Sequence, residues 1–142
     1  MMFSSDLTIL QVDDSDDDIF LTHHEFSRSK LPGRFLFQTH PEEIFVTLDE
    51  LLAAGTEIDH ILVLLDISMP RINGFETLER IRAHEKYSEL TVVMLSTSHS
   101  EDDKMQAFSS GSDGYLVKPF KLEDLYRAVP GIPYSRQRLP LS

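Results

Sequence analysis

Four apolar runs in this chain each end on a polar residue able to do chemistry, and that pattern restricts the fold more than any other feature. Leu7 to Val12 leads to Asp13-Asp14, Ile61 to Leu65 to Asp66, Thr91 to Leu95 to Ser96, and Tyr115 to Val117 to Lys118. Short runs of this kind, bounded by polar turns, read as strands buried on both faces. Apolar residues at helical spacing recur between them. Strand and helix therefore alternate, and a doubly wound α/β fold, five parallel strands covered by five helices, is the economical architecture. Residues at the carboxyl ends of such strands converge on one edge of the sheet.

The first helix is expected from near Ser15 to about Ser29, with Ile19, His23 and Phe26 on one stripe. After the break at Pro32-Gly33, Phe35 to Gln38 reads as the second strand. Pro41 suits a first helical turn, Ile44, Leu48, Leu51 and Leu52 form the next apolar stripe, and Gly55 suits its stop. Phe75, Leu78 and Ile81 mark a third helix after the turn-rich loop Ile67 to Gly74. Ser100 with Asp103 reads as a capping box for a fourth helix carrying Met105 and Phe108. Gly111 and Gly114 bracket a turn, and Leu122, Leu125 and Val129 mark the fifth helix. The Phe and Met stripes are expected in the core. His23 is expected there too, since the six histidines show no zinc-ligand spacing.

The 142 residues suit one domain, expected over 6–130, with a tail over 131–142. Without cysteine there are no disulfides, thiolate metal sites or cysteine nucleophiles, which fits a cytoplasmic location. No apolar stretch approaches the ~20 residues of a membrane span, and the start lacks the pattern of a signal peptide. A formal net charge of −11 argues against nucleic acid as a partner. Acidity concentrates in Asp13 to Asp18. Asp16, Asp17 and Asp18 read as a solvated helix start, where aspartate favours the positive end of the helix dipole.

Three carboxylates, a hydroxyl and an ammonium on one rim suit a divalent cation and a phosphoryl group. Like charges raise one another's pKa, and a hard cation with oxygen ligands, Mg²⁺ foremost, relieves that repulsion. Asp66 lies where a strand gives way to a loop, so its carboxylate is fixed yet accessible to attack a phosphoryl donor. Lys118 and Ser96 suit the remaining phosphoryl oxygens, as point charge and hydroxyl donor. Taken singly, each of these residues is ordinary. Their joint order is not.

The chain resembles the receiver domain of two-component response regulators over roughly residues 7 to 129. The resemblance rests on Ile9-Leu10-Gln11-Val12-Asp13-Asp14, Leu64-Leu65-Asp66-Ile67-Ser68-Met69-Pro70 before Asn73-Gly74, Val93-Met94-Leu95-Ser96, and Gly114-Tyr115-Leu116-Val117-Lys118-Pro119-Phe120. It implies the flavodoxin-like, CheY-like strand order 2-1-3-4-5 and phosphoryl acceptance at Asp66 from a sensor histidine kinase. Asp14 and Asp66 would hold Mg²⁺ directly (Mn²⁺ substituting), Asp13 through water, with the Ser68 backbone carbonyl completing the set. Ser96 and Tyr115 would form the switch, and the Lys118–Pro119 bond would be cis. Ser96-Thr97-Ser98 is most similar to small single-domain regulators that partner bacteriophytochrome kinases.

The chain departs from that family where Pro130-Gly131-Ile132-Pro133 closes the fifth helix early and a basic tail follows. Disorder is the plain expectation for the tail; a docking strand or homodimer arm is the functional one. Ser96 replaces the commoner threonine and keeps the hydroxyl. With no output module expected after Leu141, signalling would run through a downstream partner protein or a histidine phosphotransfer protein. A phosphohydrolase reading is disfavoured because Ser68 stands where such enzymes carry a general-acid aspartate, so no turnover on external substrates is expected. A phosphorylation-independent binding module and a flavin-binding relative are the remaining alternatives.

Overall fold

The computed structural model describes residues 7–29, 33–69 and 72–129. Its elements are β1 (Thr8–Val12), α1 (Asp16–Ser29), β2 (Arg34–Gln38), α2 (Ile44–Ala53), β3 (Ile61–Asp66), α3 (Gly74–Ala83), β4 (Thr91–Ser96), α4 (Glu101–Ser109), β5 (Gly114–Val117) and α5 (Leu122–Ala128). The expected alternation holds. All pairings are parallel, and the strands lie in the order β2-β1-β3-β4-β5. The carboxyl ends of β1 and β3 are thereby neighbours, with β4 and β5 continuing the same rim.

Strand alternation divides the core between two faces. Leu10, Val12, Val63, Leu65, Val92 and Met94 pack with Ile44 and Leu48 of α2, Leu78 and Ile81 of α3, and Ala107 of α4. Ile9, Leu62, Leu64, Val93, Leu95 and Leu116 pack with Leu122, Leu125 and Tyr126 of α5 and with Phe26 of α1. Burying both faces explains why these runs are apolar throughout rather than alternating.

Local signals set the helix starts. The Asp18 amide donates to Ser15 Oγ at 3.2 Å, so Ser15 caps a helix that begins at Asp16. Pro41 opens a single 3₁₀ turn that runs into α2. Asn73 caps α3 by accepting from the Glu76 amide at 2.9 Å. Ser100 caps α4 by accepting from the Asp102 and Asp103 amides, but the expected reciprocal bond from Asp103 is replaced. The Ser100 amide donates to Ser98 Oγ at 3.0 Å instead.

Other expectations are corrected. His23 is exposed and stacks on Phe35 at a ring separation of 5.1 Å, so it is no core residue. Met105 and Phe108 are 65% and 47% exposed, because Ala107 is the α4 residue that meets the core. Phe20 and Phe37 are exposed as well. The tail expectations over 131–142 and the break at Pro130 lie outside the described residues.

Candidate functional site

Register places the polar strand ends side by side. Val12 of β1 pairs with Leu65 of β3, so Asp13 follows next to Asp66. Asp66 pairs with Leu95 of β4, and Ser96 pairs with Val117 of β5. The Lys118 amide donates to the Ser96 carbonyl at 2.8 Å, which extends the ladder by one residue. One carboxylate oxygen from each of Asp13, Asp14 and Asp66 lies within 4.8 Å of the others. Asp13 and Asp66 are buried, whereas Asp14 is exposed.

Lys118 faces this group. Its ammonium reaches Asp66 Oδ1 at 3.1 Å and Asp13 Oδ2 at 3.5 Å. A third carboxylate, Asp18 Oδ2, sits at 2.5 Å. Asp18 therefore belongs to the site and is not merely a solvated helix start. It stands in the first turn of α1 rather than at a strand end, and the approach of α1 to the β5 end brings it there.

The charges do not balance. Burial and the neighbouring Asp13 charge push the Asp66 carboxyl up to about 6, although Lys118 and the Ser68 amide oppose this. Burial also raises Asp13, against a bond from the Ser15 amide and the Lys118 charge. Burial disfavours the Lys118 ammonium, but its bond to Asp18 and the charges of Asp66 and Asp13 outweigh that and raise its pKa. Acids outnumber the cation, and every side-chain donor in the cluster is a carboxylate oxygen. Such a set fits a hard divalent cation.

Gln11 is the second residue the sequence reading passed over. Fully buried in β1, it donates from Nε2 to Asp13 Oδ2 at 3.1 Å. The signal was available: a glutamine inside an apolar run needs a hydrogen-bond partner, and the nearest candidate two residues on was an acid.

Backbone packing frames the pocket. Gly74 opens α3 directly against β3, where a Cβ would lie 2.3 Å from the Asp66 carbonyl oxygen. No side chain fits that approach. The Lys118–Pro119 peptide is cis.

Ser96 sits at the head of a run of serine contacts. Its Oγ accepts from the Ser98 amide at 3.0 Å, Ser98 Oγ accepts from the Ser100 amide, and Ser100 caps α4. Tyr115 lies on β5, and its hydroxyl donates to the Ser98 carbonyl at 2.9 Å. Ser68 contributes its amide to Asp66. The acids and Lys118 thus meet directly, whereas Tyr115 is bonded to the loop that follows Ser96.

A family model described as the response regulator receiver domain matches residues 43–130. The chain belongs to the response regulator receiver domain family. The matched stretch of this receiver domain includes Asp66, Ser96, Tyr115 and Lys118 and leaves out Asp13 and Asp14. The protein described as "Probable methanogenesis regulatory protein FilR2" of Methanothrix harundinacea is 33% identical over 124 residues, covering 87% of this chain and 79% of its own length. Among solved structures, the bacteriophytochrome response regulator RtBRR superposes with a TM-score of 0.71 at 28% identity, covering 90% of this chain and 78% of its own. Response regulator Rcp1 in its Mn²⁺-bound form superposes with a TM-score of 0.66 at 28% identity, covering 89% and 91%. This receiver domain spans 32% to 36% of the length of several other curated relatives that it matches. Among the described residues, no helix is long and apolar enough to cross a membrane.

Proposed function

We propose that this receiver domain accepts a phosphoryl group on Asp66 from a sensor histidine kinase and signals through the loop between β4 and α4. The observation that carries this reading is the gathering of Asp13, Asp14 and Asp66 oxygens within 4.8 Å beside the Lys118 ammonium. An Asp66 oxygen forms the new bond to phosphorus as the donor's P–N bond breaks, and the electron pair leaves with the donor imidazole. Lys118 neutralises one phosphoryl oxygen. Ser96 Oγ accepts from the Ser98 amide, which leaves its own proton available to another. Asp14 and Asp66 would hold Mg²⁺ or Mn²⁺ directly, Asp13 through water, with the Ser68 carbonyl as a further ligand. When bound, the ion offsets the charge of the transferred group.

Movement of Ser96 toward the phosphoryl group would pull on Ser98, and through it on Tyr115 and the α4 cap. A change of roughly 1.5–3 kcal/mol, the scale of one charge-assisted hydrogen bond, suffices to shift a two-state loop substantially. The likeness to RtBRR supports a bacteriophytochrome-type kinase as donor. A cytoplasmic setting, a downstream protein as reader, and no turnover on external substrates complete the reading.

Labelled acetyl phosphate tests it. The wild type is expected to take up label only with Mg²⁺ or Mn²⁺, as an acid-stable adduct cleaved by alkali or hydroxylamine. An Asp66→Asn protein that labels equally well would remove Asp66 as the acceptor.

A further inference from the structure

We infer that Gln11 is a positioning residue for the cation: its amide holds the Asp13 carboxylate beside Asp14 and Asp66, so that the acids are already gathered when a divalent ion arrives. The inference rests on the reading that these acids serve Mg²⁺ or Mn²⁺. Gln11 is fully buried in β1, and Leu64, its register partner in β3, lies in the apolar cluster with Ile9 and Leu62. An amide on that face is costly unless both of its ends are bonded. Only one end is. Nε2 donates to Asp13 Oδ2 at 3.1 Å, whereas Oε1 has no hydrogen-bond partner among the described residues. Chemistry fixes this orientation, because an ionised carboxylate only accepts and the amide nitrogen must face it. A leucine or methionine would fill the same space without an orphaned carbonyl, so packing gives no reason for a glutamine. The bond to Asp13 does.

Asp13 needs that bond because of its neighbours. Oxygens of Asp13, Asp14 and Asp66 come within 4.8 Å of one another, and like charges at that range push apart. Two donors oppose the push on Asp13, one at each oxygen: the Ser15 amide at Oδ1, 3.0 Å away, and Gln11 at Oδ2. Lys118 adds a longer contact of 3.5 Å to Oδ2 and shares its charge with Asp18 and Asp66. Held at both oxygens, the carboxylate resists turning about its Cβ–Cγ bond. Without Gln11 it is held closely at Oδ1 alone, and gathering the acids falls to the binding step, which weakens affinity.

Calorimetric titration of the full chain with MgCl₂ tests this, with NMR of side-chain amides as a second readout. Gln11→Met keeps the side-chain length and removes the whole amide, orphan included. Gln11→Asn keeps the amide but falls one methylene short of Asp13. Both are expected to weaken Mg²⁺ binding about tenfold, the scale of losing a hydrogen bond to a metal-binding carboxylate. Ile9→Val trims the same face of β1 without touching Asp13 and should change affinity by less than about twofold. In an Asp13→Asn background, Gln11→Met should have no further effect. The wild-type Gln11 Nε2 resonances should shift on Mg²⁺ addition with the calorimetric midpoint, which a glutamine of purely structural use would not show. Unchanged affinity in both Gln11 variants overturns the inference. So does an equal loss in Ile9→Val, an undiminished loss without Asp13, or Nε2 resonances that ignore Mg²⁺. Those outcomes leave acetyl phosphate labelling of the wild type, and with it the acceptor assignment, untouched. A wild type that takes up no Mg²⁺ at millimolar concentrations removes the cation reading, and the role of Gln11 with it.

Discussion

The two ends of the sheet each carry one dominant cation, and they treat it in opposite ways. At the amino end of β4 and β5, Arg82 of α3 donates to the carbonyls of Gly111 at 2.8 Å, Ser88 at 3.0 Å and Leu90 at 2.6 Å. It also bonds Asp113 Oδ2 at 3.0 Å, and the same oxygen accepts from the Val92 amide at 2.9 Å. One charge meets one charge, and neutral carbonyls take three more donors. At the carboxyl end, Lys118 faces three acids, two of them buried, with Asp14 close behind. The Arg82 end is a closed clamp between α3 and the entries of β4 and β5. The Lys118 end keeps an excess of negative charge that an added cation or a proton relieves. Structure is built where charges close; chemistry is retained where they do not.

The largest expected effect separates the two ends by activity. Lys118→Met should lower the initial rate of labelling by acetyl phosphate about 100-fold, the scale of removing one preorganised donor to a transferring group. Arg82→Ala should leave that rate unchanged. If both variants lose labelling to the same degree, the contrast fails. Stability should invert the ranking for arginine: Arg82→Ala is expected to cost about 3 kcal/mol in urea unfolding, because three carbonyls and an aspartate lose a shared partner.

The pH dependence sharpens the contrast. The Asp66 carboxyl is held up to about 6, above its ordinary value of 3.8. Between those values the folded protein binds a proton that the unfolded chain has released. The associated stability is complete below about pH 4 and is lost as pH rises through 6. Metal-free Asp66→Asn should therefore exceed the wild type by about 2 kcal/mol at pH 7.5, with a smaller difference at pH 4, and excess Mg²⁺ should narrow the gap. A wild type that gains stability over this interval would contradict the unbalanced site. The smallest effect tests the route from that site to α4. Ser100→Ala, which removes the α4 cap, should cost about 1 kcal/mol and broaden the amide resonances of Ser98 without changing Mg²⁺ affinity.

Much of this was legible beforehand where physics is local. Apolar runs marked β1, β3, β4 and β5 because strands buried on both faces need no alternation. Ser15, Asn73 and Ser100 sat where helix starts need an acceptor. Legibility stopped where an outcome depended on which neighbour arrives. Met105 and Phe108 have the spacing of a core stripe, yet α4 meets the core through Ala107 and leaves both outside. His23 shares a helical stripe with Ile19 and Phe26, but its ring lies over Phe35 near the surface. Asp103 has the spacing of a reciprocal cap, and Ser98 took its place.

The order of amino acids alone determined the alternating elements, the doubly wound sheet and the four polar strand ends that meet on one rim. Those follow from side-chain burial and backbone hydrogen bonding, which act over a few residues at a time. Only the tertiary structure decided that Asp18 of α1 reaches Lys118 across 100 positions, that Gln11 supports Asp13, and that Gly74 closes on Asp66. Each of those depends on the distance between separate elements, and packing sets that distance.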